Sequence, residues 1–569
     1  MRYHALACDY DGTIAEHGAV GPDCIAALGR LRASGRMLIL VTGRHLGDLL
    51  NVFPHVTLFD RVVAENGALL YHPATYEEKI IGEPPPQEFI ELLRGRGVPH
   101  SVGRVIVATW EPYQTAVVQA IRDLGLELHV IFNKGAVMVL PSGINKATGL
   151  KHALYDLELS FHNIVGVGDA ENDHAFLSLC ECSAAVANAL PAVKRHADFI
   201  SPGERCGGVI ELIDRMVSDD LSDLESRLVR HELLLGTRED GSEVRISPYG
   251  GNILVSGTSG SGKSTFAAGF MEQLMKNKYQ FCIIDPEGDY EGLEGTVVVG
   301  SSKSAPIVEG GIRLLERYDQ NVVLNLLGIP IEDRPEFFME FLPRLQELRA
   351  RTGRPHWIVL DEAHHLAPLI MDMSSLAFCQ SLYGVMMITV HPAHVSPFFL
   401  SAVDLIIAVG ESPEYVFTDF NKTTGQLIPQ PTVKRLGPGE AVVWLRRGGD
   451  GGPFRFRTVT SHAARQRHLR KYADGMLGAD KSFYFRGPAG RLNLRAHNLM
   501  LFIQMSEGID DETWTYHLKR GDFSRWFRLS IKDEVLASYA ERSERMDIPP
   551  HESRTLIKKA IEERYTAPA

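Results

Sequence analysis

The sequence predicts an α/β protein with two units built on parallel sheets, followed by a small, mainly helical C-terminal domain. A chain of 569 residues is too long for one hydrophobic core, and the usual domain size favours about three to four units. Short apolar runs alternate with helix-like stretches from residue 1 to about 215, and a second such series runs to about residue 460. This alternation is typical of parallel sheets with helices on their faces.

The composition predicts a packed, soluble, cytoplasmic protein. Hydrophobic residues make up 44% and charged residues 23% of the chain, which excludes disordered and membrane-embedded classes. Seven scattered cysteines without a CxxC pair favour a reducing compartment over a disulfide framework or a zinc module. We expect no signal peptide and no membrane partner. The net charge of -12 opposes general adhesion to nucleic acid, so any such contact must be local.

Changes of pattern along the chain predict four segments. Residues 1–215 form the first α/β unit, and residues 77–143 within it form an inserted α/β cap over the site. Residues 216–245 form a linker with a charged helix at SDDLSDLESRLVRHELL. Residues 246–460 form the second α/β unit, and residues 461–569 form a helical accessory domain.

The segment LACDYDGT predicts the first site. Asp9 ends an apolar strand and Asp11 lies two residues further, so both carboxylates can point to one side of an extended chain. Open α/β sheets bind ligands at this carboxyl edge. Two close carboxylates repel each other unless a cation lies between them, and such oxygen-rich sites suit Mg²⁺. One carboxylate can attack phosphorus, and the other can act as a general acid and base.

Three further segments bring polar groups to strand or helix ends. Thr42 follows the strand MLILV and offers a hydroxyl to a phosphoryl oxygen. Lys146 begins a helix in INKATGL and can offset charge on a phosphate. Asp169 ends the strand IVGVG, and Asp173 follows it in GDAENDHAF, where both can complete a metal site.

In order and spacing, these segments and VAENGA resemble the haloacid dehalogenase superfamily, particularly its Cof-like branch with an inserted cap. The resemblance implies a Mg²⁺-dependent phosphomonoester hydrolase that works through an aspartyl-phosphate intermediate. The residues it implies are Asp9 as nucleophile, Asp11 as acid and base, Thr42 and Lys146 as phosphate contacts, and Asp9, Asp11, Asp169 and Asp173 around the metal. Its substrate would be a small phosphorylated metabolite.

The cap would select that substrate, but its pattern does not identify the contacts. Four polar or aromatic residues are candidates: Trp110, Glu111, His129 and Asn133. We interpret each of them individually as a packing or surface residue rather than as a ligand contact.

The segment NILVSGTSGSGKST predicts the second site, a phosphate-binding loop between an apolar strand and a helix. The loop consists of Gly257, Thr258, Ser259, Gly260, Ser261, Gly262, Lys263, Ser264 and Thr265. Backbone N–H groups of such a loop surround phosphates, Lys263 reaches the terminal ones, and the Ser264 hydroxyl can ligate Mg²⁺. We therefore predict that ATP binds here.

The strand HWIVLDEAHHL supplies the partner carboxylates. Asp361 can hold the metal through water, and Glu362 can polarise the attacking water, which favours hydrolysis over transfer to another substrate. His364 and His365 follow at once. Because no third ligand lies nearby in the sequence, we interpret them as residues that start a helix or sense the nucleotide, rather than as zinc ligands.

The segments IIDPEGDYEGL, ITVHPAHVSP and GPGEAVVWL resemble helicases and translocases of the HerA/FtsK group. The resemblance implies ATP hydrolysis, assembly into a hexamer, and DNA as a partner. Two departures weaken the translocation part: His391 stands nearest the position where the group has a glutamine, and the expected N-terminal β-barrel is missing. The sequence does not show which arginine would stabilise the transition state of ATP hydrolysis. There are five candidates, most of which we interpret as solvated: Arg344, Arg349, Arg351, Arg354 and Arg435.

The C-terminal segment interleaves basic and aromatic residues, which can bind nucleic acid. A small aromatic core under a charged surface is the stronger interpretation. The basic residues in question are Arg465, Arg467, His468, Arg470, Lys471, Arg486, Arg491 and Arg495, beside Phe483, Tyr484 and Phe485. SFYFRGP and TWTYHLKRGDFSRWF are similar to a helical accessory domain of unknown function.

The leading interpretation is a bifunctional enzyme, a phosphatase joined to an ATPase. One alternative pairs a kinase with a phosphatase in the processing of polynucleotide ends. Another is a nucleotide-controlled scaffold or a DNA translocase that carries the phosphatase. Asp361 and Glu362 argue against the kinase, because a kinase loses product by activating water.

Overall fold

The structure is a computed structural model of the chain. It describes residues 1–133, 135–249, 251–258, 261–369, 382–432, 435–446, 452–459, 472, 477, 481–488, 490, 492–531 and 533–565. Within these ranges, no helix has both the length and the apolar character that crossing a membrane requires.

The N-terminal region contains an eight-stranded sheet and a four-stranded sheet. Its strands are β1 (Ala5–Cys8), β2 (Met37–Val41), β3 (Arg61–Ala64), β4 (Leu69–His72), β5 (Glu77–Ile80), β6 (Ser101–Val102), β7 (Val107–Trp110), β8 (Leu128–Asn133), β9 (Ala136–Pro141), β10 (Ile164–Gly168), β11 (Cys182–Ala185) and β12 (Phe199–Ile200). Its helices are α1 (Pro22–Ala33), α2 (Leu46–Val52), α3 (Gln87–Gly95), α4 (Gln114–Asp123), α5 (Lys146–Asp156), α6 (His174–Leu179), α7 (Pro191–His196) and α8 (Arg205–Asp219).

The larger sheet of this region has β1 near its centre. Its strand order is β12-β11-β10-β1-β2-β3-β4-β5, and the strands from β12 to β3 run parallel. Every residue of β1 and β10 is buried, which explains why these strands are continuous apolar runs rather than alternating ones. The carboxyl ends of β1, β2 and β10 meet at one edge, where open α/β sheets bind ligands.

The smaller sheet belongs to the inserted cap. Its order is β6-β7-β9-β8, all neighbours are antiparallel, and the buried residues of α3 and α4 share its apolar core. The predicted cap starts at residue 77, but β5 pairs with β4 in the larger sheet. The turn-rich segment after β5, rather than the strand itself, therefore leads into the cap.

The second α/β region has one eleven-stranded sheet. Its strands are β13 (Leu233–Thr237), β14 (Glu243–Ile246), β15 (Ile253–Ser256), β16 (Phe281–Asp285), β17 (Thr296–Val299), β18 (Asn321–Asn325), β19 (Trp357–Leu360), β20 (Val385–Thr389), β21 (Leu405–Val409), β22 (Glu440–Leu445) and β23 (Phe454–Thr458). Its helices are α9 (Lys263–Lys276), α10 (Val308–Glu316), α11 (Arg334–Thr352), α12 (Pro397–Ser401) and α13 (Pro413–Thr424).

Seven strands of this sheet are parallel and carry the second candidate site. The strand order is β14-β13-β23-β22-β21-β15-β20-β19-β16-β18-β17, and the segment from β21 to β17 is parallel. The remaining four strands extend one edge in antiparallel pairs. β20 lies between β15 and β19, so the residue that ends β20 lies between the phosphate-binding loop and the acidic end of β19.

The predicted linker helix is wrong for most of its length. α8 ends at Asp219, where Asp220 and Leu221 adopt left-handed conformations with φ of 59° and 58°. Two 3-10 turns, Ser222–Arg227 and Val229–His231, follow in place of the predicted helix, and β13 begins at Leu233 and pairs with β14. Consecutive residues with positive φ stop a right-handed helix, and charged, apolar-spaced residues do not reveal such a stop.

The C-terminal region is mainly helical, which completes the predicted fold class and confirms it. Its elements are β24 (Phe483–Phe485), β25 (Leu494–Ala496), α14 (Leu499–Gly508), α15 (Asp511–Lys519), α16 (Asp522–Leu529), α17 (Glu534–Arg545) and α18 (Pro550–Tyr565). Phe483 and Phe485 are buried with Phe502, Trp514 and Phe523 in one aromatic core, as the stronger interpretation predicted. The candidates Arg465, Arg467, His468, Arg470, Lys471 and Arg491 lie outside the described residues.

The two α/β units meet around the buried carboxylate of Glu181. Arg2 donates to Glu181 Oε1 over 3.0 Å, and His162 Nδ1 donates to Oε2 over 2.7 Å. From the second unit, the Tyr279 hydroxyl donates to the same Oε2 over 3.2 Å. Burial raises the pKa of Glu181, but the hydrogen bond from His162 and the surrounding positive charges outweigh it and bring the pKa to about 2. Glu181 is therefore ionised at neutral pH and binds both units.

Further contacts across this interface fix its geometry. His162 Nε2 donates to Asn277 O over 2.7 Å, and its ring stacks on Tyr279 with centroids 3.6 Å apart. His356 accepts a backbone N–H at Nδ1, so its Nε2 carries the proton and donates to Asn163 Oδ1 over 3.3 Å. Burial lowers the pKa of His356, which keeps this ring neutral.

These contacts lie at the amino ends of strands in both sheets. Asn163 precedes β10, Glu181 precedes β11, Gln280 precedes β16 and His356 precedes β19. Because the amino ends of the two sheets face each other, their carboxyl edges face away from the interface.

Glu181→Gln should destabilise the folded protein at neutral pH. The folded-state pKa of Glu181 is about 2 against an ordinary value of 4.5, so its ionised form contributes stability above pH 4.5 that is lost as pH falls toward 2. Removing the charge leaves Arg2 and His162 facing a neutral amide, which costs roughly 3 kcal/mol. Thermal unfolding midpoints from pH 7 to pH 3 would measure both effects.

The matched control is Glu225→Gln, because Glu225 also pairs with Arg2, over 3.4 Å, but is half exposed. We expect this control to behave like the unaltered protein. An unchanged midpoint for Glu181→Gln at pH 7 would contradict the role assigned to Glu181.

Candidate active sites

Three carboxylates meet at the carboxyl edge of the first sheet. Asp9 directly follows β1, Asp169 directly follows β10, and Asp173 lies four residues further in a short 3-10 turn. Their carboxylate oxygens lie within 4.8 Å of one another, and all three residues are buried. Asp173 Oδ2 accepts the backbone N–H of Asp169 over 2.9 Å, which holds the turn against the strand end. The structure thus brings together the residues that the sequence placed on separate strands.

Lys146 lies at the centre of this cluster. Its Nζ donates to Asp9 Oδ1 and to Asp173 Oδ1, each over 2.6 Å. Lys146 begins α5, whose N-cap Asn145 accepts the backbone N–H of Thr148 over 3.0 Å. The cap and the helix start therefore aim this ammonium group at two of the three carboxylates.

The cluster carries more negative charge than Lys146 neutralises. Burial and the nearby Asp173 raise the pKa of Asp9 to about 7, although Lys146 opposes the shift. Burial lowers the pKa of Lys146, but its two carboxylate partners outweigh burial and the net shift is upward. An excess of buried carboxylate oxygens is the donor set that a hard divalent cation such as Mg²⁺ takes. The residues present therefore fit the predicted magnesium.

Asp11 lies apart from the three clustered carboxylates. Both of its carboxylate oxygens accept hydrogen bonds from Arg44, from Nε and from NH2, each over 2.7 Å. The Arg44 guanidinium also donates to Asp48. The pattern of the sequence did not predict this pairing of Arg44 with Asp11. An acid–base role for Asp11 requires its carboxylate to be released from Arg44.

Two threonines border the Asp9 carboxylate and the strand edge. Thr42 directly follows β2, is buried, and accepts the backbone N–H of Arg44 at Oγ1 over 3.1 Å. Thr13 Oγ1 donates to Asp9 Oδ2 over 3.1 Å. Thr42 thus stands where predicted, and Thr13 is an additional residue that orients Asp9.

A buried glutamate ties the cap to the sheet that carries the site. Glu65 Oε1 accepts the N–H of Arg104, and Oε2 accepts those of Val105 and Ile106, over 2.8 to 3.0 Å. A Cβ on Gly103 would lie 2.5 Å from Glu65 Oε1, so the loop requires glycine there. β8 of the cap packs against the turn that holds Asp173. The cap therefore covers the carboxylate cluster.

Three of the four cap candidates, Trp110, Glu111 and Asn133, lie at one end of the cap sheet, and His129 lies near the other. Trp110 is 52% exposed and packs edge to face on Tyr113. His129 and Asn133 lie at opposite ends of β8, and Glu111 follows β7. Their substrate role stays a prediction.

The phosphate-binding loop connects β15 to α9. Gly257 has φ of 158° and approaches so closely that a Cβ there would lie 2.0 Å from Val409 O. Gly262 has φ of 106°, a conformation that favours glycine. Lys263 is the first residue of α9, and its Nζ donates to Gly257 O and Thr258 O over 3.0 and 3.1 Å. The ammonium therefore curls over the loop, where phosphate oxygens can replace the two carbonyls.

The other described residues of the loop lie in its turn and at the start of α9, as the motif predicts. Ser261 donates its backbone N–H to Thr258 O over 3.2 Å, and Ser264 and Thr265 lie in the first turn of α9. Ser259 and Gly260 lie outside the described residues.

An acidic group of side chains faces this loop from the neighbouring strands. Asp361 directly follows β19, and Glu362 follows it with φ of 41°. Burial, then Asp285 and Asp289, raise the pKa of Asp361 well above its usual range. Burial and Asp289 likewise raise the pKa of Asp285, which ends β16, to about 7. This excess of buried negative charge again fits a divalent cation.

The histidines after these carboxylates contact the end of β20. His364 Nδ1 lies 3.1 Å from Thr389 Oγ1 and 3.4 Å from Glu362 Oε2. Burial, aided by His365 and other nearby cations, lowers the pKa of His364 to about 4. The rings of His391 and His364 meet edge to face at 6.0 Å. His391 thus lies beside His364, a contact that the sequence alone did not predict.

Two of the five arginines considered as transition-state donors have structural roles. Arg349 donates to Pro355 O and His356 O, each over 2.9 Å. Arg354 donates to Glu158 O of the first unit over 2.8 Å. Both are fully buried at the amino ends of the strands. Arg344, Arg351 and Arg435 are exposed, so most of the five are solvated, as interpreted from the sequence.

Two family models match separate parts of the chain. The model of the haloacid dehalogenase-like hydrolase family matches residues 6–102 and 113–213. The model described as helicase HerA, central domain, matches residues 250–367. The first range contains the clustered carboxylates with Lys146, and the second contains the phosphate-binding loop with Asp361.

Relatives of the N-terminal part are phosphatases. Phosphoglycolate phosphatase 2 of Saccharolobus solfataricus is 28% identical over 220 residues, which cover 37% of this chain and 92% of that protein. The phosphoglycolate phosphatase of Methanothermobacter thermautotrophicus is 28% identical over 222 residues, which cover 37% of this chain and 98% of that protein. A solved haloacid dehalogenase-like hydrolase from Bacteroides thetaiotaomicron is 18% identical with a TM-score of 0.34, covering 38% of this chain and 99% of that one. The chain thus joins a haloacid dehalogenase-like hydrolase domain to a HerA-like domain, and both predicted resemblances are confirmed.

Proposed function

We propose that the chain is a bifunctional enzyme, whose N-terminal domain hydrolyses a small phosphomonoester and whose second domain hydrolyses ATP. The observation that carries the first activity is the buried cluster of Asp9, Asp169 and Asp173 around Lys146. Since the relatives are named phosphoglycolate phosphatases, we propose phosphoglycolate or a similarly small phosphorylated metabolite as substrate. We place both activities in the cytoplasm, on the cysteine usage of the sequence.

The phosphatase step uses the Asp9 carboxylate, which Lys146 and Thr13 orient by hydrogen bonds. An Asp9 oxygen attacks phosphorus, an O–P bond forms, and the ester O–P bond breaks. Asp11 gives a proton to the leaving oxygen after its side chain turns from Arg44, and then takes a proton from the water that releases phosphate. Lys146 and the Thr42 hydroxyl bind phosphoryl oxygens. A Mg²⁺ held by Asp9, Asp169 and Asp173 would offset the charge of the phosphate and the carboxylates.

The ATPase proposal rests on the loop and the acidic strand ends that face it. Lys263 exchanges its carbonyl partners for the terminal phosphates of ATP, and the loop N–H groups bind the others. Ser264 and Asp361 would hold Mg²⁺, which offsets charge between the phosphates. Glu362, beside His364, orients the attacking water and takes its proton.

Asp9→Asn should abolish phosphomonoester hydrolysis, by roughly 10³-fold or more, because the amide cannot form the covalent intermediate. ATP hydrolysis should persist. Release of glycolate from phosphoglycolate, and of phosphate from ATP, measures the two activities in the same preparation. Asp23→Asn, on the exposed first turn of α1, is the matched control and should retain both. Full phosphatase turnover in Asp9→Asn would exclude Asp9 as nucleophile.

Lys263→Ala should remove ATP turnover and spare the phosphatase, because the ammonium that contacts the terminal phosphates is lost. The control Lys276→Ala removes an exposed lysine from the other end of α9 and should change neither rate. ATP binding and phosphate release are measured with phosphoglycolate hydrolysis alongside. If both activities fell while the melting midpoint stayed constant, the two sites would be coupled.

We also propose that the HerA-like domain works as a ring, most simply a hexamer, with an arginine supplied by the neighbouring subunit. This proposal is supported by the buried structural roles of Arg349 and Arg354 in their own subunit. The exposed Arg344 and Arg351 already pair with Glu309 and Glu316.

ATP turnover per subunit should therefore rise with protein concentration, and DNA should stimulate it at low salt, where contacts to phosphates are strongest. Mass measurement in solution with an ATP analogue, and ATPase assays across DNA and salt concentration, test the two parts. A monomer with full turnover would rule out the ring. Turnover that ignores DNA at low salt would favour a nucleotide-controlled scaffold over a translocase.

A further inference from the structure

The C-terminal region contains a cavity of about 370 Å³ that neither proposed activity uses. It opens between β24, α15 and α16, and aromatic and cationic side chains line it. Tyr484, Tyr516 and Trp526 supply rings, and Arg486, Arg520 and Arg525 supply guanidinium groups. A cavity of this size suits one small organic molecule.

The cavity carries net positive charge. Its carboxylate Asp522 lies 3.4 Å from Arg520 Nε and 3.6 Å from Arg525 NH1. Both arginines remain more than half exposed, and Arg486 adds a third guanidinium. Asp522 therefore holds two of the cations at the rim without neutralising all three. In a chain of net charge -12, this local excess favours an anionic ligand.

His517 fixes the wall of the cavity and adds no charge to it. The backbone N–H of Arg486 donates to His517 Nε2 over 3.0 Å, so the ring proton is on Nδ1. That Nδ1–H donates to Asp522 Oδ2 over 2.9 Å. One neutral ring thus joins the end of β24 to the start of α16, and it sets Arg486 opposite the pair of arginines on Asp522.

Two aromatic rings of the cavity wall pair with its guanidinium groups, and a third offers an apolar surface. The Arg520 guanidinium lies 5.1 Å from the Tyr516 ring centroid, and Arg486 lies 5.4 Å from that of Tyr484. Both tyrosines are half-buried. The Trp526 indole N–H is already satisfied by Lys481 O over 2.9 Å, so the ring offers the cavity its apolar surface. Base rings stack on such platforms while arginines contact the phosphate.

We propose that this cavity binds a nucleoside monophosphate, with the base against the aromatic wall and the phosphate on the arginines. The cavity volume matches one nucleotide rather than a strand, and the acidic chain around it opposes a long polyanion. This binding is separate from ATP at the phosphate-binding loop and does not depend on either proposed activity.

The test uses the full chain carrying Asp9→Asn and Lys263→Ala, so that neither other site turns over or binds its nucleotide normally. Adenosine 5′-monophosphate, adenosine and inorganic phosphate are titrated by calorimetry. Amide hydrogen exchange then locates any protection. We expect the monophosphate to bind tighter than adenosine or phosphate, with protection in residues 511–530.

Arg520→Gln with Arg525→Gln should weaken that binding by at least about tenfold, since charge-assisted hydrogen bonds to the phosphate are lost. Tyr516→Leu should weaken the monophosphate but not inorganic phosphate. The matched control is Arg542→Gln, which removes an arginine that also lies over a tyrosine, Tyr539 at 4.7 Å, but outside the cavity. It should leave the affinity unchanged.

Several results would overturn the proposal. Equal affinity for phosphate and the monophosphate, unaffected by Tyr516→Leu, would reduce the cavity to a simple anion site. Tighter binding of single-stranded oligonucleotide than of the monophosphate would make it a nucleic-acid contact. Protection elsewhere in the chain, with the arginine variants binding normally, would remove the cavity from consideration.

Discussion

The contact of the buried Glu181–His162 pair with Tyr279 and Asn277 sets the arrangement of the two α/β units, and the positions of both candidate sites follow from it. The contact joins amino ends of strands, whereas each site lies at a carboxyl edge. Each connecting strand rises about 3.3 Å per residue, so the two sites are separated by two strand lengths, on the order of 30 Å. A product of one site therefore cannot pass directly to the other, and any exchange between them must go through solvent.

The same electrostatic problem recurs at both sites. Burying several carboxylates together is costly unless cations approach them. At the first site Lys146 supplies one charge for three carboxylates, and the pKa of Asp9 still rises to about 7. At the second, Lys263 curls over its own loop while the pKa of Asp361 is raised. A divalent cation would balance the carboxylates at each site and would also attract a phosphate group, which links the fold of both sheets to the class of ligand.

The sequence predicted the parts of these sites that follow directly from strand ends. Asp9, Thr42, Asp169 and Asp361 each come after a short apolar run, and parallel strands bring such residues to one edge. Contacts between segments that are far apart along the chain leave no such pattern in the sequence. The pairing of Arg44 with Asp11 and the interface around Glu181 join residues that are far apart along the chain, so they depend on how the elements pack. The prediction of a linker helix was wrong for a related reason, because positive φ at consecutive residues leaves no periodic signal in the sequence.

The interface also favours a rigid arrangement of the two α/β units. Glu181 has three donors, and His162 and His356 use both of their ring nitrogens. A buried polar network in which most donors and acceptors are paired favours one geometry, because moving either unit would leave charged groups buried without partners. In this arrangement, Arg2 Nε and Arg354 Nε are buried without a hydrogen-bond partner among the residues that the structure describes. Coupling between distant sites requires an element with two alternative arrangements. The paired contacts favour the single arrangement seen here, in which the interface holds the two candidate sites at opposite ends of the joined units.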